Sequence, residues 1–342
     1  MKIILITGGA GFIGSNFVRY LFNGYPDYQI VVVDALTYAG NADNLPDEIK
    51  ADSRFDFWYG NVTNVDLVNN LVSAADVVVH FASESHVARS IFDNAVFFET
   101  DVLGTQVVAN AVLKYKESIE RFIHISTSEV YGTALIIPMA EDHPLNPTSP
   151  YAAAKTGADR LVYSYRVTYD IPAVIIRPFN TYGANQHLEK VIPRFITSII
   201  LNEALTIHGS GENTRDWLYV EDLCQALDKV IHTGLDKVKG QVINLGTGKD
   251  TSINEIANML VSRLDKPDTV ITHSPDRFGQ VEKHIAATDK ARRLLGWEAT
   301  TDLDKGLDST VKWYQQNPEW WQKLLWMRHV PIKTSDGEIT YY

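Results

Sequence analysis

The chain has 342 residues, of which 45% are hydrophobic and 21% charged, and its formal net charge is −11. This length suits a nucleotide-binding domain with a smaller second domain, and the acidic balance disfavours nucleic acid and anionic membranes as partners. The single cysteine, Cys224, excludes an internal disulfide framework and a cysteine-based metal cluster. We expect no apolar stretch long enough to span a membrane. Because no leader segment precedes the first strand, we also expect a cytoplasmic protein.

The N-terminal residues predict a strand, a glycine-rich turn and a helix. Met1–Ile6 is a short apolar run typical of a buried parallel strand, and Phe12–Leu21 repeats apolar side chains at helical spacing. The glycines between them allow a tight turn and a close approach of backbone N–H groups to a pyrophosphate at the helix N-terminus. This dinucleotide site is predicted to consist of Gly8, Gly11, Phe12, Ile13 and Gly14.

The end of the second predicted strand indicates which dinucleotide the site prefers. The apolar run Tyr28–Val33 ends in Asp34, about twenty residues after the glycine-rich turn. A carboxylate there can bind the ribose hydroxyls of adenosine and would repel a 2′-phosphate. The sequence therefore favours NAD over NADP.

Apolar runs and helical patterns alternate through the rest of the first half. The strands are predicted at Phe55–Tyr59, Val77–Phe81, Phe122–Ser126 and Ala173–Arg177, and the helices at Val65–Val72, Ala95–Leu113 and Ala152–Tyr169. This alternation predicts an α/β fold with a Rossmann-type doubly wound parallel sheet, which binds ligands beyond the carboxyl ends of its strands. We place this domain at residues 1–178 and expect 219–248 to return to it.

After Pro178 the pattern is less regular and predicts a smaller C-terminal α/β substrate domain, mainly at residues 179–342. Val242–Leu245 reads as one further strand of the main sheet. The predicted helices of the second layer are Lys190–Asn202, Ile253–Leu264, Asp289–Leu295 and Leu303–Tyr314. The aromatic tail from Trp320 to Tyr342 is expected to pack on the body of the protein or at a subunit contact.

A tyrosine and a lysine mark the candidate catalytic centre. Tyr151 and Lys155 are four residues apart in a predicted helix and therefore share one face. A nearby ammonium lowers the pKa of a phenol, so the pair can act as a base near neutral pH. Thr127 follows the fifth strand, where its hydroxyl can bind a substrate hydroxyl beside Tyr151. Together with the NAD loop, these residues predict a hydride-transfer site.

Over essentially its whole length the chain resembles extended short-chain dehydrogenases/reductases that act on nucleotide sugars. The shared motifs are TGGAGFIGS (7–15), STSEVYG (126–132), YAAAK (151–155), RPFNTYG (177–183) and RDWLYVEDL (215–223). Three further segments are similar to dTDP-glucose 4,6-dehydratases, namely VDALTYAGN (33–41), ASESHVARSI (82–91) and EKVIPRF (189–195).

This resemblance implies NAD as a cofactor that is recycled within each turnover. Such enzymes oxidise C4 of the hexose, eliminate water across C5 and C6, and return the hydride to C6, which gives a 4-keto-6-deoxy sugar. By motif position, Tyr151 is the base for the C4 hydroxyl, Lys155 its partner and Thr127 the group that orients the sugar. Glu129 is then the base for the C5 proton.

The chain departs from the dehydratase pattern at Ser128, where an aspartate is the expected proton donor to the C6 hydroxyl. A serine hydroxyl is a much poorer acid, and Ser-Glu here resembles UDP-glucuronate decarboxylases. Ala88 and Asn61 replace two further expected aspartates. We therefore predict dehydration first, with decarboxylation, C4 epimerisation and a non-catalytic NAD-binding scaffold as alternatives. Either Glu129 or a water held by Ser128 would then protonate the C6 hydroxyl.

The remaining site residues are predicted from strand ends and from the resemblance. For the cofactor they are Asn61, Val62, Ala82, Ser83 and Thr100, in addition to the glycine-rich turn and Asp34. For a nucleotide-diphosphate sugar they are Ser85, His86, Asn180, Glu189, Lys190, Arg194, Arg215 and Arg277, with Arg215 the best candidate for a bidentate phosphate contact. The dispersed histidines predict no metal site. The resemblance also implies a homodimer paired through the helices near Ala95–Leu113 and Ala152–Tyr169.

Overall fold

The computed structural model describes residues 1–276, 279–333 and 337–341. Its strands are β1 (Lys2–Thr7), β2 (Tyr28–Asp34), β3 (Phe55–Tyr59), β4 (Val77–His80), β5 (Arg121–Ile125), β6 (Ala173–Pro178), β7 (Asn180–Tyr182), β8 (Leu205–His208), β9 (Thr214–Arg215), β10 (Trp217–Tyr219), β11 (Val242–Leu245), β12 (Thr251–Ser252), β13 (Ile271–Ser274), β14 (Pro331–Lys333) and β15 (Ile339–Tyr341).

The α-helices connect these strands in the order that the sequence predicts for the first half. They are α1 (Phe12–Gly24), α2 (Asp47–Lys50), α3 (Val65–Ser73), α4 (Val87–Phe92), α5 (Ala95–Phe97), α6 (Thr105–Lys114), α7 (Pro150–Tyr169), α8 (Val191–Ile200), α9 (Val220–His232), α10 (Leu235–Val238), α11 (Ile253–Arg263), α12 (Asp289–Leu295), α13 (Leu303–Gln316) and α14 (Pro318–Gln322). A π-helical turn, Phe98–Gly104, joins α5 to α6, and a 3₁₀ turn, Ser128–Tyr131, follows β5.

Seven parallel strands form the central sheet in the order β11-β6-β5-β4-β1-β2-β3. Successive side chains of a strand point to opposite faces, so the apolar runs bury both sides of the sheet. Ile4 and Ile6 pack in the core that includes residues of α1 and α9, whereas Leu5 packs in the core that includes residues of α3 and α6. The predicted doubly wound Rossmann-type sheet is confirmed, and β11 extends it as expected.

A third apolar core lies in the second layer, among α8, α11, α13 and the short strands beside them. Three strand pairs there were not predicted: β7 pairs with β10, β8 with β13, and β9 with β12. Part of the aromatic tail packs on this body. Trp320 donates its ring N–H to Asn44 Oδ1 at 2.8 Å, and Trp321 donates to the backbone oxygen of Tyr314 at 2.8 Å.

The helix predicted at Ala95–Leu113 is interrupted by the π-helical turn. The turn ends at Gly104, where a Cβ would lie 2.7 Å from a methyl group of Val62, so close packing requires glycine. By length and composition, Ala95–Lys114 could cross a membrane, with a mean hydropathy of 1.2, so the expectation that no such stretch exists is wrong. Within the fold, 44% of this stretch is buried, and its α6 part packs against α3 and α7.

Candidate active site

A cleft of about 420 Å³ opens at the carboxyl ends of the central strands, beneath the second layer. Nearly all of the predicted site residues line it. They are Gly8, Gly11, Phe12, Ile13, Gly14, Asp34, Asn61, Val62, Ala82, Ser83, Ser85, His86, Thr100, Thr127, Ser128, Glu129, Tyr151, Lys155, Asn180, Glu189, Lys190, Arg194 and Arg215. Arg277 lies outside the described residues.

The glycine-rich turn places backbone where side chains would not fit. Gly8 has φ +70°, and a Cβ there would lie 2.6 Å from the backbone nitrogen of Ala82. A Cβ on Gly14 would lie 2.3 Å from the backbone oxygen of Gly8. Gly11 caps α1 without a side-chain hydrogen bond, and the first turn of the helix has no acidic residue. The N-terminus of α1 thus lines the cleft with no side-chain cap, as an anion-binding helix N-terminus requires.

Asp34 ends β2 in a fixed orientation and lines the cleft. Its Oδ2 accepts from the backbone N–H of Ala10 at 2.9 Å, and its Oδ1 accepts from that of Leu36 at 2.8 Å. Burial raises the pKa of this carboxyl, and the two backbone hydrogen bonds oppose the shift. Each carboxylate oxygen has a further lone pair, so the group can still accept from ribose hydroxyls.

The catalytic candidates converge where β5 ends and α7 begins. Thr127 caps the 3₁₀ turn, and its Oγ1 accepts from the backbone N–H of Glu129 at 3.2 Å. A side-chain hydrogen bond joins Thr127 to Tyr151, which is 8% exposed in the first turn of α7. The Nζ of buried Lys155 donates to the backbone oxygen of Ile125 at 2.7 Å. A threonine hydroxyl, a phenol and a carboxylate therefore face one end of the cleft.

Burial dominates the pKa shifts of Tyr151 and Lys155. The pKa of Tyr151 is raised above its usual value, first by burial and then by the charges of Asp101 and Glu129, while the bond to Thr127 opposes the shift. Burial also lowers the pKa of Lys155, and the charges of Asp101 and Asp159 oppose that shift. The net shift of the Tyr151 pKa is thus upward, and a lowering of that pKa by the Lys155 ammonium stays a prediction.

Asp101 was not predicted to belong to this centre. It lies in the π-helical turn, and its Oδ1 accepts from the backbone N–H of Glu84 at 2.9 Å. Its buried Oδ2 has no hydrogen-bond partner within the described ranges. Burial raises the pKa of this carboxyl, whereas the charge of Lys155 lowers it. The sequence signal was weak, because Asp101 is one of two acidic residues in a mainly apolar helix, with Glu99 the other. Its position near Lys155 depends on the interrupted helix.

A half-buried arginine pairs with Glu189, a buried carboxylate that lines the cleft at the second layer. Arg89 Nε donates to Glu189 Oε2 at 2.9 Å, and the Lys190 ammonium lies 3.9 Å from Glu189 Oε1. Burial would raise the pKa of Glu189, but the charges of His86, Lys190 and His187, together with the bond from Arg89, lower it to about 2. Sequence reasoning missed Arg89, although its position three residues after His86 places both on one turn of α4.

Basic and polar side chains of the second layer face the same space. Lys190 donates to the backbone oxygen of Ser85 at 2.7 Å, and Arg215 in β9 donates to that of Thr214 at 2.9 Å. Arg194 lies in α8, and Asn180 begins β7. Several lining residues were not predicted, among them Thr206, His208, Trp217, Ile253, Gln280 and Val330. Over the ranges described here, no three His, Cys, Asp or Glu side chains gather into a metal site.

Comparison with known proteins agrees with this geometry. A family model described as GDP-mannose 4,6 dehydratase matches residues 5–310. The low-salt glycan biosynthesis protein Agl12 of Haloferax volcanii is 43% identical over 316 residues, 92% of this chain and 99% of that protein. A dTDP-glucose 4,6-dehydratase of Actinoplanes sp. is 39% identical over 323 residues, 93% and 99% of the two chains. The crystal structure of DesIV, a dTDP-glucose 4,6-dehydratase from Streptomyces venezuelae with NAD bound, superimposes with a TM-score of 0.90 at 38% identity and covers 94% of this chain and all of that one.

Proposed function

Because the chain belongs to the GDP-mannose 4,6 dehydratase family of NAD-dependent short-chain dehydrogenases/reductases, we propose that it dehydrates a nucleoside-diphosphate glucose to the 4-keto-6-deoxy sugar. The observation that supports this reaction is the convergence of Thr127, Glu129 and Tyr151 at one end of the cleft that contains the glycine-rich turn. The names of the relatives favour dTDP-glucose as the first substrate to test.

NAD, when bound, supplies the hydride acceptor for C4 and the hydride donor for C6. Tyr151 takes the proton of the C4 hydroxyl. Thr127, whose side chain is hydrogen-bonded to the Tyr151 phenol, orients that hydroxyl. Because burial raises the pKa of Tyr151, its deprotonation depends on positive charge near the phenol. Lys155 provides such a charge from the next turn of α7, although Asp101 and Asp159 partly compensate it.

Glu129 removes the proton at C5 once C4 is a ketone, which acidifies that carbon. The residue follows the hydroxyl of Thr127 in the 3₁₀ turn, and its backbone N–H is bonded to that hydroxyl. This bond fixes the Glu129 backbone relative to the Thr127 hydroxyl, which holds the C4 oxygen together with Tyr151. Thr127, which orients the C4 oxygen, and Glu129, which takes the C5 proton, therefore belong to the same capped 3₁₀ turn, and Tyr151 approaches them from α7.

The pyrophosphate of the sugar nucleotide is assigned to the basic side chains of the second layer. Arg215 is the strongest candidate because it is 6% exposed, lines the cleft and has a planar guanidinium that can hold a phosphate at two points. Lys190 and Arg194 lie one helical turn apart at the start of α8 and supply further positive charge. Asn180 and Glu189, which both line the cleft, are the proposed contacts of the hexose, and Arg89 holds Glu189 in position from outside the lining.

The direct test incubates the purified protein with dTDP-glucose, UDP-glucose, UDP-N-acetylglucosamine and UDP-glucuronate in separate reactions. We expect loss of one water from a glucose nucleotide, measured by mass spectrometry of the product. Release of carbon dioxide from UDP-glucuronate would favour a decarboxylase, and a galactose nucleotide of unchanged mass would favour an epimerase. Binding of NAD without any change in a sugar would favour a scaffold.

The role of Glu129 has its own test. Glu129→Gln is expected to abolish water loss while the nicotinamide is still reduced on mixing with substrate, because oxidation at C4 precedes proton removal at C5. Glu117→Gln alters an exposed carboxylate, 92% accessible, and is expected to behave as wild type. Normal turnover by the Glu129 variant would show that another group removes the C5 proton.

We also propose that the protein is a homodimer paired through the long helices, as its resemblance to the family implies. Exposed apolar side chains on both helices support this, among them Leu103 at 53% and Val167 at 61%. Val167→Glu is expected to yield monomers in light scattering, whereas Val270→Glu, at an equally exposed site on the second layer, is expected to leave the dimer intact. A monomeric wild-type protein would contradict the proposal.

A further inference from the structure

The serine at position 128 leaves the departing C6 hydroxyl without an acidic side chain of its own. Ser128 lines the cleft, is 2% exposed and precedes Glu129 directly in the 3₁₀ turn. Its hydroxyl can donate a hydrogen bond, but alone it is a weak general acid. For Ser128 itself to protonate the leaving hydroxyl, in place of Glu129 or a bound water, a second group must lend it a proton, and such a group lies behind it.

That group is His284, a buried histidine from a distant part of the chain. Its Nδ1 lies 3.4 Å from Ser128 Oγ, and its Nε2 lies 2.7 Å from the backbone oxygen of Gly132. A carbonyl only accepts, so Nε2 carries a hydrogen and Nδ1 is the atom that exchanges a proton with Ser128. The ring is 0% exposed and does not line the cleft, so it acts on a substrate only through Ser128.

Burial and nearby groups shift the pKa of His284 in opposite directions. Burial lowers its pKa below the usual 6.5, and the charges of Arg215 and His143 lower it further. The carboxylate of Glu129 and the bond to Gly132 raise it. The histidine is therefore a stronger acid than usual when charged, and Glu129 stabilises that charge from the same turn that holds Ser128.

We propose that Ser128 and His284 form a proton relay that protonates the C6 hydroxyl as it leaves. This inference rests on the proposed dehydration. With a proton on Nδ1, His284 donates to Ser128 Oγ, and the Ser128 hydroxyl donates to the C6 oxygen. Long hydrogen bonds between catalytic groups commonly tighten when substrate is bound, which suits the 3.4 Å distance.

Protons and electron pairs balance in this step. Glu129 takes the C5 proton, and the electron pair of that C–H bond forms the C5–C6 double bond as the C6–O bond breaks. The hydroxyl leaves as water with the Ser128 proton, while Ser128 Oγ receives the proton from Nδ1 and His284 becomes neutral. Glu129 later returns its proton to C5, and the proton that Tyr151 took from the C4 hydroxyl restores His284 through solvent.

The relay predicts a pH dependence with a defined sign. When His284 is neutral, Ser128 donates to Nδ1 and presents only lone pairs to the sugar. The elimination step should therefore slow as pH rises through the pKa of His284, which lies below 6.5. Loss of the imidazole should remove this dependence and leave the earlier oxidation at C4 unchanged.

The experiment compares the glucose nucleotide that the wild-type enzyme dehydrates with its 6-deoxy-6-fluoro analogue. Fluoride leaves with much less help from a proton donor than hydroxide. His284→Gln is expected to slow water loss by about a hundredfold, within the range of general acid catalysis, and fluoride loss by less than about threefold. Ser128→Ala should give the same selective loss. His273→Gln, which alters an exposed ring bonded to the carbonyl of Gly209, is the control and should match wild type.

Three results would overturn the relay. If the His284 variant loses water at the wild-type rate, the histidine is not part of the proton donor. If the variant slows water loss and fluoride loss by the same factor, His284 only supports the fold of the turn. If the His284 variant keeps the wild-type pH dependence of elimination, the histidine is likewise excluded as the proton donor. Wild-type enzyme that eliminates neither leaving group would instead refute the proposed function itself, and the relay with it.

Discussion

Replacing Gly14 by alanine tests whether close backbone packing creates the cofactor site. The added Cβ would lie 2.3 Å from the oxygen of Gly8 and 2.9 Å from Cα of Gly9, whereas ordinary contact begins near 3.4 Å. The turn must therefore move by about 1 Å, an overpacking that typically costs about 1–3 kcal/mol of folding free energy. The same oxygen accepts from the N–H of Gly11 at 3.2 Å, so the whole turn shifts together.

A shift of this size misaligns the N–H groups at the start of α1 with a pyrophosphate. Each hydrogen bond to a charged group contributes about 1.5–3 kcal/mol, so the loss of one weakens NAD binding by about 10- to 150-fold. Isothermal titration calorimetry on protein stripped of nucleotide measures this affinity directly. Urea denaturation of the same samples measures the folding cost separately.

Gly24→Ala is the matched control for this substitution. Gly24 ends the same helix, and a Cβ there meets no atom within 4 Å. Alanine is favoured over glycine in helices by up to about 1 kcal/mol, so this variant should be equally or more stable and bind NAD normally. NAD binding by the Gly14 variant within about twofold of wild type, below the loss of one charged hydrogen bond, would refute the reasoning.

Three further predictions follow from buried charges and from Ser128. Arg177→Met removes one of the two guanidinium groups that pair with buried Asp159, the one at 2.8 Å, and leaves Arg160 as the other. The loss of its charge-assisted hydrogen bonds should cost about 1.5–3 kcal/mol in urea denaturation, and a loss below about 0.5 kcal/mol would contradict this. Burial raises the pKa of Asp101 above 3.8, so the free energy of unfolding of wild type should fall as pH rises from about 4 through that raised value. Asp101→Asn should remove this fall. If the free energy of unfolding varies with pH in parallel for the two proteins, Asp101 is not its source. Ser128→Asp supplies a carboxylic acid directly, so it should restore water loss when combined with His284→Gln; no restoration would place the proton donor elsewhere.

The sequence by itself was sufficient wherever a feature depends on residues close together in the chain. The glycine-rich turn, Asp34 at the end of β2 and the Tyr151–Lys155 spacing each occupy a single strand–turn–helix or one helical turn. Local backbone geometry and side-chain period determine such features. The strand and helix alternation likewise predicted the doubly wound sheet, because buried parallel strands must be apolar on both faces.

Only the tertiary structure decided the features that depend on burial and on distant partners. Ser128 and His284 are 156 residues apart, and Arg89 and Glu189 are 100 residues apart, so neither pair has a spacing that a sequence pattern can reveal. The direction of the Tyr151 pKa shift required the same information. Spacing alone placed an ammonium nearby, whereas the shift is set by loss of solvent and by Asp101 and Glu129, two carboxylates that approach from other elements.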